Sequence, residues 1–155
     1  MNWIDILTLV VLLGSALMAG AFFAFSNFIM KALGQQRGAA GAAAMQAINI
    51  TVLNPVFLGV FMGTAALGVV LIIAVIVTGA PGAILTVVGA LLYIVGTFLV
   101  TMMRNVPLNN ALERTRGNAA EEYWVLYQPE WVRWNTIRAA AALLATASLF
   151  IAAVT

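Results

Sequence analysis

Residues 93–138 read YIVGTFLVTMMRNVPLNNALERTRGNAAEEYWVLYQPEWVRWNTIR. Apolar sequence runs into this stretch and out of it, and its middle is polar. It holds nine of the twelve charged residues, Pro107 and Pro129, and three of the four tryptophans. It also carries Asn105, Asn109, Asn110, Asn118 and Asn135. A stretch that leaves one apolar run and enters another decides the fold. It is expected to form one wall and the lid of a polar, aromatic-lined pocket at one end of a membrane helix bundle.

The rest of the composition fixes the solvent. Of 155 residues, 64% are hydrophobic and 8% charged, against about 25% charged in ordinary globular chains. Too few polar groups exist to cover a water-facing surface, so the surroundings are lipid. The length fits a single integral membrane domain over 1–155. The seven basic residues are too few and too scattered for a nucleic-acid footprint. There is no cysteine and no histidine. That removes disulfides, thiol nucleophiles and zinc sites of the usual kind, and with them the commonest general base and haem ligand. No metal and no cofactor are expected.

Four apolar runs, at approximately 3–30, 55–77, 83–104 and 129–154, match the roughly 20 helical residues that span a bilayer core. The first is expected to be retained although Ala19-Gly20-Ala21 mimics a cleavage site, because Asp5 precedes it and no Lys or Arg does. Ala16, Gly20 and Ala24 recur every four residues and suit close helix contact, as does Gly59-x3-Gly63. After the Gly34–Gly38 turn, Gly41–Val52 predicts a short interfacial helix. Asn54-Pro55 caps and opens the second span. Thr78-Gly79-Ala80-Pro81-Gly82 is a tight turn, so spans two and three are antiparallel neighbours. Arg104 and Asn105 end span three, and Pro107 predicts a break. Short helices are expected over Leu108–Arg116 and Glu121–Tyr127, and Gln128-Pro129 is expected to restart the chain into span four. The fold class is all-α: a four-transmembrane-helix antiparallel bundle with short interfacial helices in the first and third loops.

All the basic residues fall in loops one and three or at the span ends beside them. The positive-inside rule puts both loops in the cytoplasm and both termini outside. The polar ends of the four spans share that face. Span one ends with Ser26, Asn27 and Lys31. Span two opens after Asn49, Thr51 and Asn54, and span three closes with Thr97, Thr101, Arg104 and Asn105. Span four opens with Trp131, Trp134, Asn135 and Arg138, at i, i+3, i+4 and i+7 on one helix face. Arg138 lies about 13 Å along the helix from Pro129, too deep for an ordinary surface charge. Its guanidinium is expected to face a cavity at that end and to bond Asn27, Asn105 or Asn109. Asn54 also reads as a plain cap, Trp124 as an aromatic-belt residue, and Lys31 and Arg104 as complements to helix dipoles and lipid.

At these residues the chain resembles the anthrone oxygenase-like family of small bacterial and fungal membrane proteins. The matching pieces are Gly20-Ala21-Phe22-Phe23-Ala24-Phe25-Ser26, Ile48-Asn49, Asn54-Pro55-Val56-Phe57, Asn105-Val106-Pro107-Leu108-Asn109 and Trp131-x2-Trp134-Asn135-x2-Arg138. The resemblance implies four membrane helices and, for some fungal members, oxidation of anthrones to anthraquinones by dioxygen without metal or flavin. It implies catalytic roles for Arg138, Asn135 and Tyr127. Asn27, Asn54, Asn105, Asn109, Trp124, Trp131 and Trp134 would then bind substrate. It supplies no base: there is no histidine, and Glu130 and Tyr127 are weak candidates.

Two functions follow. One is a cofactor-free oxygenase-like enzyme on an anthrone- or quinol-like aromatic. The other is a non-catalytic membrane protein that binds a lipid or partner protein through the same cavity. A transporter fits less well, because transporter sites lie near the midplane. The expected partners are a hydrophobic small molecule or lipid and the membrane itself, here a bacterial inner membrane. A homo-oligomer is left open.

Overall fold

The computed structural model describes residues 2–154 and is helical throughout. Its helices are α1 (Trp3–Gly34), α2 (Ala40–Thr51), α3 (Pro55–Thr78), α4 (Ala83–Glu113) and α5 (Gly117–Val154). Four of these, all but α2, are long and apolar enough to cross a membrane. α5 packs against α1 on one side and α4 on the other, and α3 touches both α1 and α4. Neighbours run antiparallel. Phe22 and Ser26 of α1 meet Asn135 and Thr136 of α5, while Leu85, Thr97 and Asn105 of α4 meet Ser148, Arg138 and Trp131.

Local chemistry sets the ends. Asn2 caps α1, accepting from Ile4 and Asp5 N–H, and Asp5 returns the bond to Asn2 N–H. Asn54 Oδ1 accepts from Phe57 N at 3.0 Å, with Pro55 next. The α3–α4 turn needs positive φ at both ends, supplied by Gly79 (63°) and Gly82 (69°).

Neither Pro107 nor Pro129 breaks the chain. Pro107 sits in the first turn of the Val106–Glu113 segment, where a missing N–H is harmless. The wide π turn Thr101–Asn105 feeds into it, so the helix expected over Leu108–Arg116 is the tail of α4. Pro129 lies inside α5. It removes one N–H and crowds the carbonyl of Val125, but both residues are exposed. The inner face is held across the proline by Trp124–Tyr127 and Tyr127–Trp131 ring stacking, at 5.4 and 6.3 Å. The Glu121–Tyr127 helix is therefore part of α5, and the third loop shrinks to residues 114–116.

Close helix contact is made by other glycines than expected. A Cβ at Gly14 would stand 1.9 Å from Thr64 Oγ1, and one at Gly96 2.5 Å from Ala141 Cβ. At Gly20, Gly59 and Gly63 a Cβ would meet nothing within 4 Å. The Ala16–Gly20–Ala24 and Gly59–Gly63 rows thus face outward, because Gly14 takes α1 against α3.

Candidate functional site

Three π turns converge on the first half of α5. In a π turn the ladder gains one residue, which rotates the next side chains and leaves backbone groups less tightly paired. Phe25–Ile29 follows Phe22 and contains Ser26. Leu92–Leu99 contains Thr97, and Thr101–Asn105 contains Thr101 and Asn105. Each presents a polar group to the Trp131–Arg138 segment.

Arg138 is the centre, 6% exposed. Its Nε and Nη2 donate to Asn135 Oδ1 at 2.9 and 2.8 Å, and Nη1 donates to Thr101 Oγ1 at 3.1 Å. The guanidinium lies 3.9 Å from the Phe22 ring centroid and 5.2 Å from that of Trp131. Such faces favour a cation that has left water. The Arg138 carbonyl accepts from Thr97 Oγ1 at 3.0 Å. No ion pair to Arg138 exists among the described residues.

Asn135 is fully buried and ties the cluster to α1. Its Nδ2 donates to Phe22 O and Ser26 Oγ, both at 2.7 Å. Ser26 and Thr136 share a further hydrogen bond of 2.9 Å.

A second layer lies toward the third loop. Asn109 Oδ1 accepts from both Tyr127 OH and Trp131 Nε1, each at 2.8 Å. Asn105 Nδ2 donates to Trp131 O at 3.3 Å. Its Oδ1, like Asn49 Nδ2 and Trp124 Nε1, is buried with no partner. Trp124 is buried against Gly41, whose Cβ would sit 2.9 Å from Nε1, so it is no belt residue.

The expected set therefore divides. Arg138, Asn135 and Trp131 come together, with Tyr127, Asn109, Asn105 and Trp124 stacked beyond them. Asn27, Asn54 and Trp134 stay outside. Arg138 bonds Asn135 and Thr101, not Asn27, Asn105 or Asn109, because the π turn in α1 turns Ser26 inward and leaves Asn27 exposed. Asn54 is exposed and serves as a cap. Trp134 is half-buried at the rim. Its Nε1 donates to Glu130 Oε1 at 2.7 Å, and Arg104 and Arg133 lie over its ring at 4.6 and 5.5 Å. That contact also places Glu130 away from the cluster. Phe22, Ser26, Thr97 and Thr101 complete the cluster. The sequence marks the last three only as polar residues at span ends.

The cluster is packed rather than open. Two grooves, of about 410 and 530 Å3, lie along the α1–α5 seam and are not lined by Trp131, Asn135 or Arg138. Among the described residues no three of His, Cys, Asp and Glu gather as a metal-ligand set.

Known proteins bear on this geometry in one respect. No curated protein and no solved structure matches the chain. A family model described as anthrone oxygenase matches residues 56–148. The match runs from the first turn of α3 to near the end of α5, taking in Thr97, Thr101, Asn105, Asn109, Tyr127, Trp131, Asn135 and Arg138. With more than half its length matched, this membrane protein belongs to the anthrone oxygenase family.

Proposed function

We propose that the chain is a cofactor-free oxygenase acting on a hydrophobic aromatic molecule of the anthrone or quinol type. The observation that carries this is Arg138, a buried guanidinium with no carboxylate beside it. A cation kept from water and left without an anion suits a ligand that brings the negative charge. Arg138 uses three of its five N–H groups, leaving one on each terminal nitrogen.

An anthrone that loses a proton becomes an enolate spread over its rings. Arg138 stabilises that anion as a fixed donor in a dry site, and Trp131 and Tyr127 offer flat faces to the polycycle. Dioxygen then adds one atom to the reacting ring carbon. Its other atom leaves as water with the two hydrogens that carbon gives up. The chain has no imidazole to take the first proton and Glu130 is held by Trp134, so this reading rests on the acidity of the substrate itself. Entry requires Phe22 to leave the guanidinium, and the π turn beside it is the weak point of α1. The bias of basic residues toward loops one and three supports a reading in which both loops face the cytoplasm from a bacterial inner membrane, with both termini outside.

The closed packing favours a second reading, in which Arg138 only braces α1, α4 and α5 in a non-catalytic lipid- or partner-binding protein. Conversion of anthrone to anthraquinone under dioxygen, followed by absorbance in lipid nanodiscs, separates the two. Wild type should accelerate it over empty nanodiscs, and Arg138→Gln should lose roughly a hundredfold or more while the protein still melts cooperatively. No acceleration by wild type, or equal turnover in the variant, would overturn the oxygenase reading.

A further inference from the structure

The α1–α5 seam carries features that the oxygenase chemistry does not use. The larger groove, about 530 Å3, runs from Ala16 past Gly20 and Phe23 on α1, with Ala140 and Leu143 opposite on α5. The second, about 410 Å3, is lined by Asn27, Lys31 and Gln128. Ser26 lines both, so they are neighbours along the seam.

The two ends differ in chemistry. From Ala16 to Ser26 the wall is apolar apart from Ser26, Thr136 and Thr146 at its edges. Ten helical residues rise about 15 Å, half of a hydrocarbon core of ~30 Å and so the depth of one leaflet. Beyond Ser26 the lining holds one cation, Lys31, and no carboxylate. The Lys31 and Asn27 side chains make no hydrogen bond or ion pair among the described residues. A Cβ at Gly20 would meet nothing within 4 Å, so the groove is open there.

We infer that this trough binds one anionic glycerophospholipid from the leaflet in which Lys31 lies. One acyl chain lies along Gly20 and Phe23, and the phosphate reaches Lys31, Asn27 and Gln128. The length of the apolar part sets the chain, and the single uncompensated cation sets the sign of the head. The site is separate from Arg138 and does not depend on the oxygenase proposal. Ser26 joins the two through Asn135.

Native mass spectrometry of the detergent-purified chain tests it, with phosphatidylglycerol, phosphatidylcholine of the same chains, and oleate as probes. Wild type should retain one phosphatidylglycerol, in preference to phosphatidylcholine by roughly fivefold for one cation near a lipid surface. Lys31→Gln should erase that preference. Gly20→Leu and Ala140→Leu, each filling the groove from one wall, should lose the bound lipid. Gly59→Leu, at an equally open glycine on α3, should keep it. Equal retention of the two phospholipids by wild type, stronger retention of oleate, or equal effects of Gly20→Leu and Gly59→Leu would overturn the inference.

Discussion

Asn135 holds Arg138 on a single oxygen. Its Oδ1 accepts from both Nε and Nη2, at 2.9 and 2.8 Å, while its Nδ2 reaches across to Phe22 O and Ser26 Oγ. One amide thus positions the buried cation and fastens α5 to α1. Asn135→Leu removes the acceptor and leaves the buried guanidinium with Thr101 as its hydrogen-bond partner beside the Phe22 and Trp131 rings. Leaving a buried charged donor without its acceptor should cost about 3 kcal/mol, the upper end for an unsatisfied buried group, measured by unfolding in detergent. Asn135→Asp keeps an acceptor and adds a counterion but loses both Nδ2 bonds. It should fold better than Asn135→Leu and still lose turnover, because Arg138 would no longer be free to balance a substrate anion. Full activity in Asn135→Asp would remove Arg138 from the chemistry.

Asn109 joins two aromatic donors on one oxygen, Tyr127 OH and Trp131 Nε1. Asn109→Leu orphans both, at about 1–3 kcal/mol for each buried donor left unsatisfied. Asn109→Asp keeps the acceptor and should lose much less. Thermal melting read by tryptophan fluorescence compares them, and equal stability of the two variants would show that these bonds contribute little.

Gly14 is the close-contact glycine of α1. A Cβ there overlaps Thr64 Oγ1 at 1.9 Å, and Thr64 is buried. Gly14→Ala should destabilise by about 1–3 kcal/mol, as overpacking does, and adding Thr64→Ala should restore part of the loss. Gly20→Ala, with nothing in reach, is the control and should be near neutral in the same denaturation assay.

The proposed membrane orientation rests on the basic residues of loops one and three. Reporter fusions in the Arg114–Arg116 loop and at the C-terminus should report opposite compartments, with the loop inside. A C-terminal reporter on the cytoplasmic side would reverse the assignment.

A chain without His or Cys should turn over without a transition metal. A chelating agent should leave anthrone oxidation unchanged, and elemental analysis should find no stoichiometric metal. A metal that co-purifies and whose removal stops turnover would overturn this.

Hydropathy determined the four long helices. Nothing but a helix satisfies backbone groups in a single apolar segment, and composition alone is enough to apply that rule. Asn54-Pro55 and the Gly79–Gly82 turn were equally legible, because caps and positive-φ glycines act on the chain within a few residues. Arg138 was legible as a buried charge from its depth in span four. The residues around it were not. An ideal helix turns 100° per residue, so one residue gained in a π turn re-aims everything after it. That shift puts Ser26 inside and Asn27 outside, and brings Thr101 rather than Asn105 to the guanidinium. Trp131 and Trp134 share a face on a helical wheel, yet only Trp131 is buried, since Arg104 and Arg133 hold Trp134 at the rim. Pro129 breaks a helix by local rules, and the Trp124–Tyr127–Trp131 stack overrides them. Periodicity and local propensity are properties of a segment. The π turns, the closed cluster and the open α1–α5 seam depend on what the facing helices present, and only the tertiary structure decides that.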